Sequence, residues 1–214
     1  ADLTQLFEAV DFVSVHTYPF HDSFYNPSFW GVLPSEEALP FDEMTGLTMD
    51  RAIAYAKGQY RLLRTYNLQL PHAPNVLKAI KALKEADSSF EMYVMLGAWI
   101  DGQGAWTSEA PDHTKESEEN NTSEIQKAVR YANEYPDIVK IIAVGNEAMV
   151  HWAASYFVHP SVILKYVNYL QELKLMGKLP ADLWVTSSDN FASWGGGEDA
   201  YHLRELEELI MAVD

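Results

Sequence analysis

The sequence predicts an α/β fold built on a parallel sheet, and three observations carry that expectation. Short apolar runs rich in β-branched and aromatic residues alternate with amphipathic helical patterns. Each run is nearly continuous in its apolar character, as strands covered on both faces require, instead of alternating. The β-α unit recurs at a period of roughly 40 residues, which makes parallel strands joined by right-handed crossovers the economical topology. No linker divides the 214 residues, so one domain over 1–214 is expected.

In chain order, the strand candidates are "DFVSVHTY" (11–18), "YRLLRTY" (60–66), "EMYVMLGAW" (91–99), "VKIIAVGNE" (139–147) and "DLWVTSSDN" (182–190). Helices fall between them. "APNVLKAIKALKEAD" places Val76, Leu77, Ile80 and Leu83 on one face. "NTSEIQKAVRYANEYP" reads as opening on an Asn121/Glu124 capping box, with Ile125, Ala128, Val129 and Ala132 inward. "HPSVILKYVNYLQELKLMG" follows a proline and stops at Gly177, a residue suited to the left-handed position after a helix. The stretches "EAPDHTKESEENN" and "SWGGGED" read as long loops after strands.

Composition narrows the function classes. Asp and Glu number 31 against 15 Lys and Arg, for a formal charge of −16. Such a surface repels nucleic-acid phosphates and anionic lipid, so neither is an expected partner, and a neutral ligand such as a sugar fits better. There is no cysteine, hence no disulfide, thiolate metal site or cysteine nucleophile. No apolar run has the roughly 20 residues of a membrane helix, and no signal peptide opens the sequence. His16, His21 and Asp22 lack the spacing of a metal motif, so no metal or other cofactor is expected.

The strand ends carry chemistry that packing does not need: His16 and Tyr18, Arg64 and Tyr66, Trp99 and Asp101, Asn146 and Glu147, then Ser188, Asp189 and Asn190. In parallel β/α barrels the site is built at these carboxyl ends. Glu147 stands where four apolar residues run out into "GNE", with His151 and Trp152 close behind. Apolar neighbours there would raise its carboxyl toward a general acid. The competing reading is a simple loop ion pair. Trp99, Trp106, Trp152, Trp194, Tyr18 and Tyr66 lie in or just after strand ends, and flat rings beside amide and carboxyl groups suit a sugar. Trp184, inside a strand, reads as core.

With these residues in place, the chain resembles the bacterial branch of glycoside hydrolase family 17, the β-1,3-glucanases and related glucan-modifying enzymes. The stretches that carry it are "VDFVSVHTYPF", "RLLRTY", "APNVLKAIKAL", "MYVMLGAWID", "EIQKAVRYANEYPDIVKIIAVGNEAMVHW" and "VTSSDNFASW". The resemblance implies a (β/α)8 barrel of the TIM type and retaining hydrolysis by two carboxyl groups. It makes Glu147 the acid/base and gives Asn146 the sugar 2-hydroxyl, with Tyr18, Trp99, Asp189 and Asn190 along a β-glucan cleft. An extracellular or periplasmic setting goes with it.

Two departures shape the expectation. The "VDFVSVHTYP" strand, sixth in the family, comes first here, so residues 1–60 read as a displaced strand-six unit and 61–214 as strands two to five. "LTQLFEAVD" (3–11) and "LEELIMAVD" (206–214) look like two versions of the helix that leads into that strand. The family's strand-seven motif, Gly-Glu-(Ser/Thr/Ala)-Gly-Trp, which carries the nucleophile, is absent; Glu198 sits in a different context. The sequence thus predicts an incomplete or permuted barrel of about five recognisable strands. Its open edges would be covered by a second copy, by the segment 19–58, or by further curling. Two functions follow: a β-glucan hydrolase, or a non-catalytic barrel scaffold or glucan-binding module that oligomerises.

Overall fold

The computed structural model describes residues 62–196 and 203–214. Within them four parallel strands form one sheet in the order β1 (Leu62–Arg64), β2 (Tyr93–Ala98), β5 (Val139–Asn146) and β6 (Trp184–Ser188). The parallel α/β class is as the sequence predicts. Helix α1 (His72–Ala86) joins β1 to β2, α2 (Glu118–Glu134) leads into β5, and α3 (Pro160–Leu175) links β5 to β6. Helix α4 (Leu203–Ala212) follows β6. The predicted strand 11–18, the whole unit 1–60 and the N-terminal copy of the "AVD" repeat lie outside the described residues.

The core explains the sheet. Leu96 of β2, Ile142 of β5 and Val185 of β6 are fully buried, and Leu77, Ile80, Ile125, Ile163 and Leu170 bring the helices onto them. The predicted face of α1 is seated in that core, with Leu83 packed at its margin. Helix α3 ends as expected: Gly177 takes φ 68°. Its N–H reaches Lys174 O, and the Lys178 N–H reaches Leu173 O, the paired bonds of a Schellman cap.

Three sequence expectations change. The acidic stretch before α2 is not all loop: β4 (Asp112–Glu116) pairs antiparallel with β3 (Gly102–Gln103). Helix α2 begins at Glu118, so Asn121 and Glu124 lie inside it instead of forming its cap. Both are buried, at 0 % and 1 % exposure, because they serve the backbone of neighbouring strand ends. Trp184 is 48 % exposed, since the first position of β6 points its side chain away from the core that Val185 enters.

At the β6 edge, the tail after α4 is tied to the strand. The Asp214 N–H donates to Val185 O at 2.9 Å, and Val185 N–H donates to Asp214 Oδ2 at 2.8 Å. Lys174 Nζ meets the same carboxylate at 2.6 Å. Burial alone would raise this carboxyl, but the bonds from Lys174 and Val185 outweigh it and hold Asp214 below its ordinary value.

Candidate active site

The site lies at the carboxyl ends of the four parallel strands. At the end of β5 the backbone leaves the sheet abruptly. Gly145 has φ 84° and Glu147 φ 47°, and the β5–β6 register shifts between Ala143 and Asn146. A Cβ at Gly145 would come within 3.0 Å of both Ala148 Cβ and Ile163 Cδ1. Only glycine suits that position, on grounds of space and of the left-handed backbone. Glu147 is not a glycine and adopts the left-handed region at a cost of about 1 kcal/mol or more. Its N–H is tied to Ser188 O at 2.8 Å, which holds the turn.

The consequence is a Glu147 side chain turned out into the open. The apolar enclosure expected from the sequence is not there, because the two left-handed residues lift it clear of the core. Beside it, Asn146 accepts a hydrogen bond from Arg64 Nη2, and the Arg64 guanidinium lies 5.0 Å over the Tyr66 ring. That bond joins the end of β1 to the end of β5.

Asp189, at the end of β6, is the second carboxyl of this mouth. Its Oδ2 accepts from Met149 N–H at 2.7 Å and its Oδ1 from Asn190 N–H at 3.0 Å. Burial raises it above the ordinary carboxylate range against bonds from Met149, Ser193 and Asn190, and the Glu147 charge adds to the rise. Asp189 therefore clamps the loop that follows Glu147 to the end of β6. Asn190 Oδ1 accepts from Ser193 N–H at 3.1 Å, opening a wide turn over Ala192–Gly196. Trp194 in that turn packs against the core, while Phe191 is largely exposed. Trp152 is exposed and meets His151 edge-on at 5.1 Å.

The end of β2 is built differently. A Cβ on Gly97 would lie 2.2 Å from Thr65 O, so β1 can pass this close only over a glycine. Beyond it, one carboxylate oxygen, Asp101 Oδ1, accepts from the indole N–H of Trp99 at 2.6 Å and of Trp106 at 3.0 Å. Burial raises the Asp101 carboxyl above its ordinary value against those two bonds. Tyr156 completes an aromatic group: it stacks on Trp106 at 5.0 Å and meets Trp99 at 5.6 Å. Burial, then the charges of Glu147 and Asp189, raise the Tyr156 phenol. Tyr156 thus touches both indoles and is near enough to the carboxyl pair to feel its charge.

Helix α2 holds this group from below. Asn121 Oδ1 accepts from Asp101 N–H at 2.9 Å, and Asn121 Nδ2 donates to Asp101 O at 2.9 Å. One turn on, Glu124 Oε2 accepts from Leu68 N–H at 2.8 Å and from Trp99 N–H at 2.9 Å. Burial raises this carboxyl too.

Nine of the sequence-predicted site residues are therefore placed: Glu147, Asn146, Asp189, Asn190, Tyr66, Trp99, Asp101, Trp152 and Trp194. Asp101 and Asp189 have their carboxylates engaged in positioning others, and Trp194 is drawn toward the core. His16 and Tyr18 lie outside the described residues. Sequence reasoning missed Tyr156 and the role of Asn121 and Glu124. The latter had a signal: two polar residues on the face that Ile125 and Ala128 bury. Among the described residues no cluster of three or more His, Asp or Glu side chains is placed to hold a metal ion, and no helix is long and apolar enough to cross a membrane.

Comparison with solved structures yields a strong likeness. Over 86 % of its length the chain is 57 % identical to an endo-laminarinase from Formosa Hel1_33_131, with a TM-score of 0.73. The match spans 44 % of that chain, so this sequence corresponds to less than half of it. A second solved structure, an active-site mutant of Rhizomucor miehei beta-1,3-glucanosyltransferase in complex with laminaritriose, is similar over 83 % of this chain and 64 % of its own, at 18 % identity and TM-score 0.45. No protein-family model and no curated protein matches the chain.

Proposed function

We propose that this chain is a β-1,3-glucan-active glycoside hydrolase unit related to the bacterial branch of family 17, with Glu147 as the acid/base group. The observation that carries the reading is the outward turn of Glu147 by two left-handed residues beside a fixed aromatic group, in a chain 57 % identical to an endo-laminarinase. An exposed carboxyl at a strand mouth, next to flat rings, can reach a glycosidic oxygen. In retaining hydrolysis it gives its proton to that oxygen as the bond to the anomeric carbon breaks, and a second carboxylate attacks that carbon. Glu147, now ionised, then takes a proton from the water that releases the sugar. Asn146 beside it has its amide oxygen occupied by Arg64, which leaves the amide N–H groups for a sugar hydroxyl.

Asp189 is a poor nucleophile, because its two oxygens already accept backbone hydrogen bonds. That observation favours a second reading, in which the unit binds β-glucan without cleaving it. Release of reducing sugar from a β-1,3-glucan separates the two when binding of oligosaccharides is followed in parallel by tryptophan fluorescence. Hydrolysis by the natural sequence that falls at least about a hundredfold in Glu147→Gln, with binding kept, supports the enzyme. Binding without hydrolysis supports the module. Neither binding nor hydrolysis refutes both.

A further inference from the structure

We propose that the cleft between the segments that follow β1 and β2 is an additional sugar subsite, which stacks one hexopyranose unit on the free face of Trp106. The cleft has a volume of about 460 Å³, within the range of small-ligand pockets. Trp99, Trp106 and Leu70 give it apolar walls, and Asn67, Gln69 and Asn120 give it amide groups. The proposal rests on the β-glucan reading above and adds to it a place separate from the Glu147 mouth.

The geometry of the rings sets the chemistry. Tyr156 covers one face of Trp106, with ring planes 16° apart. Trp106 is nonetheless 60 % exposed and lines the cleft, which Tyr156 does not. The uncovered indole face therefore looks into the cleft. Both indole N–H groups are already spent on Asp101 Oδ1, so the rings offer flat apolar surface and no donor. That suits the C–H face of a pyranose.

The rim supplies hydroxyl partners. Gln69 Oε1 accepts from Lys127 Nζ at 2.7 Å and its amide also donates to the Glu124 carboxylate, so the Gln69 side chain is held in place at the rim with one amide N–H left as a donor. Asn67 Oδ1 accepts from Leu70 N–H at 3.3 Å, which orients the Asn67 amide in the same sense. The one carboxylate besides Asp101 on the wall, Glu124, is buried and engaged with Leu68, Trp99 and the Gln69 side chain, so a neutral ligand meets no free charge.

The subsite is also built in advance. Trp106 is held at φ 64°, a backbone region that a tryptophan rarely adopts. Asp101 pins its indole, and Asn121 pins Asp101 through both of its backbone groups. Rings fixed before the ligand arrives lose little freedom when it binds. Tyr156 touches both indoles and also feels the charges of Glu147 and Asp189, so the subsite and the carboxyl mouth are neighbours on one surface.

An extended subsite gains affinity only for ligands long enough to reach it. Calorimetric titration of the full chain with a β-1,3-linked disaccharide and a hexasaccharide, before and after Trp106→Ala, tests this. The expected result is a loss of roughly tenfold in affinity for the hexasaccharide, with disaccharide binding unchanged. Gln69→Ala, at an exposed position, should weaken the hexasaccharide alone by a smaller factor, and it serves if the tryptophan variant fails to fold. Unchanged hexasaccharide binding in the variants overturns the proposal. So does an equal loss for both lengths, which would assign Trp106 to the Glu147 mouth. A natural sequence that binds neither sugar refutes the β-glucan reading itself, and the subsite with it.

Discussion

The two halves of the strand-end surface are held in opposite ways. At β5 and β6, backbone geometry does the work: Gly145 and Glu147 in the left-handed region turn one carboxyl outward, and Asp189 ties down the loop behind it. At β2, buried side chains do it: Asn121 and Glu124 grip the strand end, and Asp101 collects two indoles. The first arrangement leaves its carboxyl exposed to solvent. The second buries its charges so that neutral rings are what solvent meets. Left-handed backbone lifts a carboxyl out of the sheet, whereas buried side chains hold an apolar face rigid.

Changes that break one support and spare the other sharpen this contrast. The largest effect is expected from Gly97→Ala. Its Cβ would press on Thr65 O at 2.2 Å, so the ends of β1 and β2 must separate, at about 3 kcal/mol or more of stability in urea unfolding. A stability within about 0.5 kcal/mol of the natural sequence would refute the close-approach account.

Glu124→Ala comes next. It strands the Leu68 and Trp99 N–H groups in the interior and should cost about 2–4 kcal/mol. Glu124→Gln should restore most of that, since one amide oxygen in the place of Oε2 serves both donors. Equal losses in the two variants would contradict the clamp. Glu147→Gln, by contrast, should leave stability within about 0.5 kcal/mol of the natural sequence because the side chain is exposed, whatever it does to hydrolysis.

The smallest effect concerns pH. Burial holds Asp189 above 3.8, so the folded chain keeps a proton that the unfolded chain has released. Stability from this group therefore falls as pH rises from 3.8 through the raised folded value, and is constant beyond it. Asp189→Asn should flatten that part of the stability curve measured by denaturant unfolding at a series of pH values. An unchanged slope would show that Asp189 is not the group responsible.

Much of this was readable in the residues. Continuous apolar runs gave the parallel strands because such strands are covered on both faces, and "AVGNE" located the carboxyl because a polar triplet after four apolar residues must leave the sheet. The register of α2 was misread. Asn121 and Glu124 have the spacing of a capping box, yet the N-cap is Ser117, four residues earlier, and the helix uses them from within. Local spacing is the same in both cases, and only the neighbouring strand ends decide between them. Trp184 failed likewise: apolar size argued for the core, while its place at the start of β6 turned it outward.

The sequence by itself determined the α/β class, the helix faces and the polar strand ends, since all three follow from hydrophobic period and chain order. Tertiary structure alone decided that Asp101 serves two tryptophans, that Tyr156 joins them, and that Asp189 is a clamp. Those partners lie between two and more than fifty residues apart along the chain. Which of them meet depends on how the strands register and where the helices dock, and no local pattern encodes that.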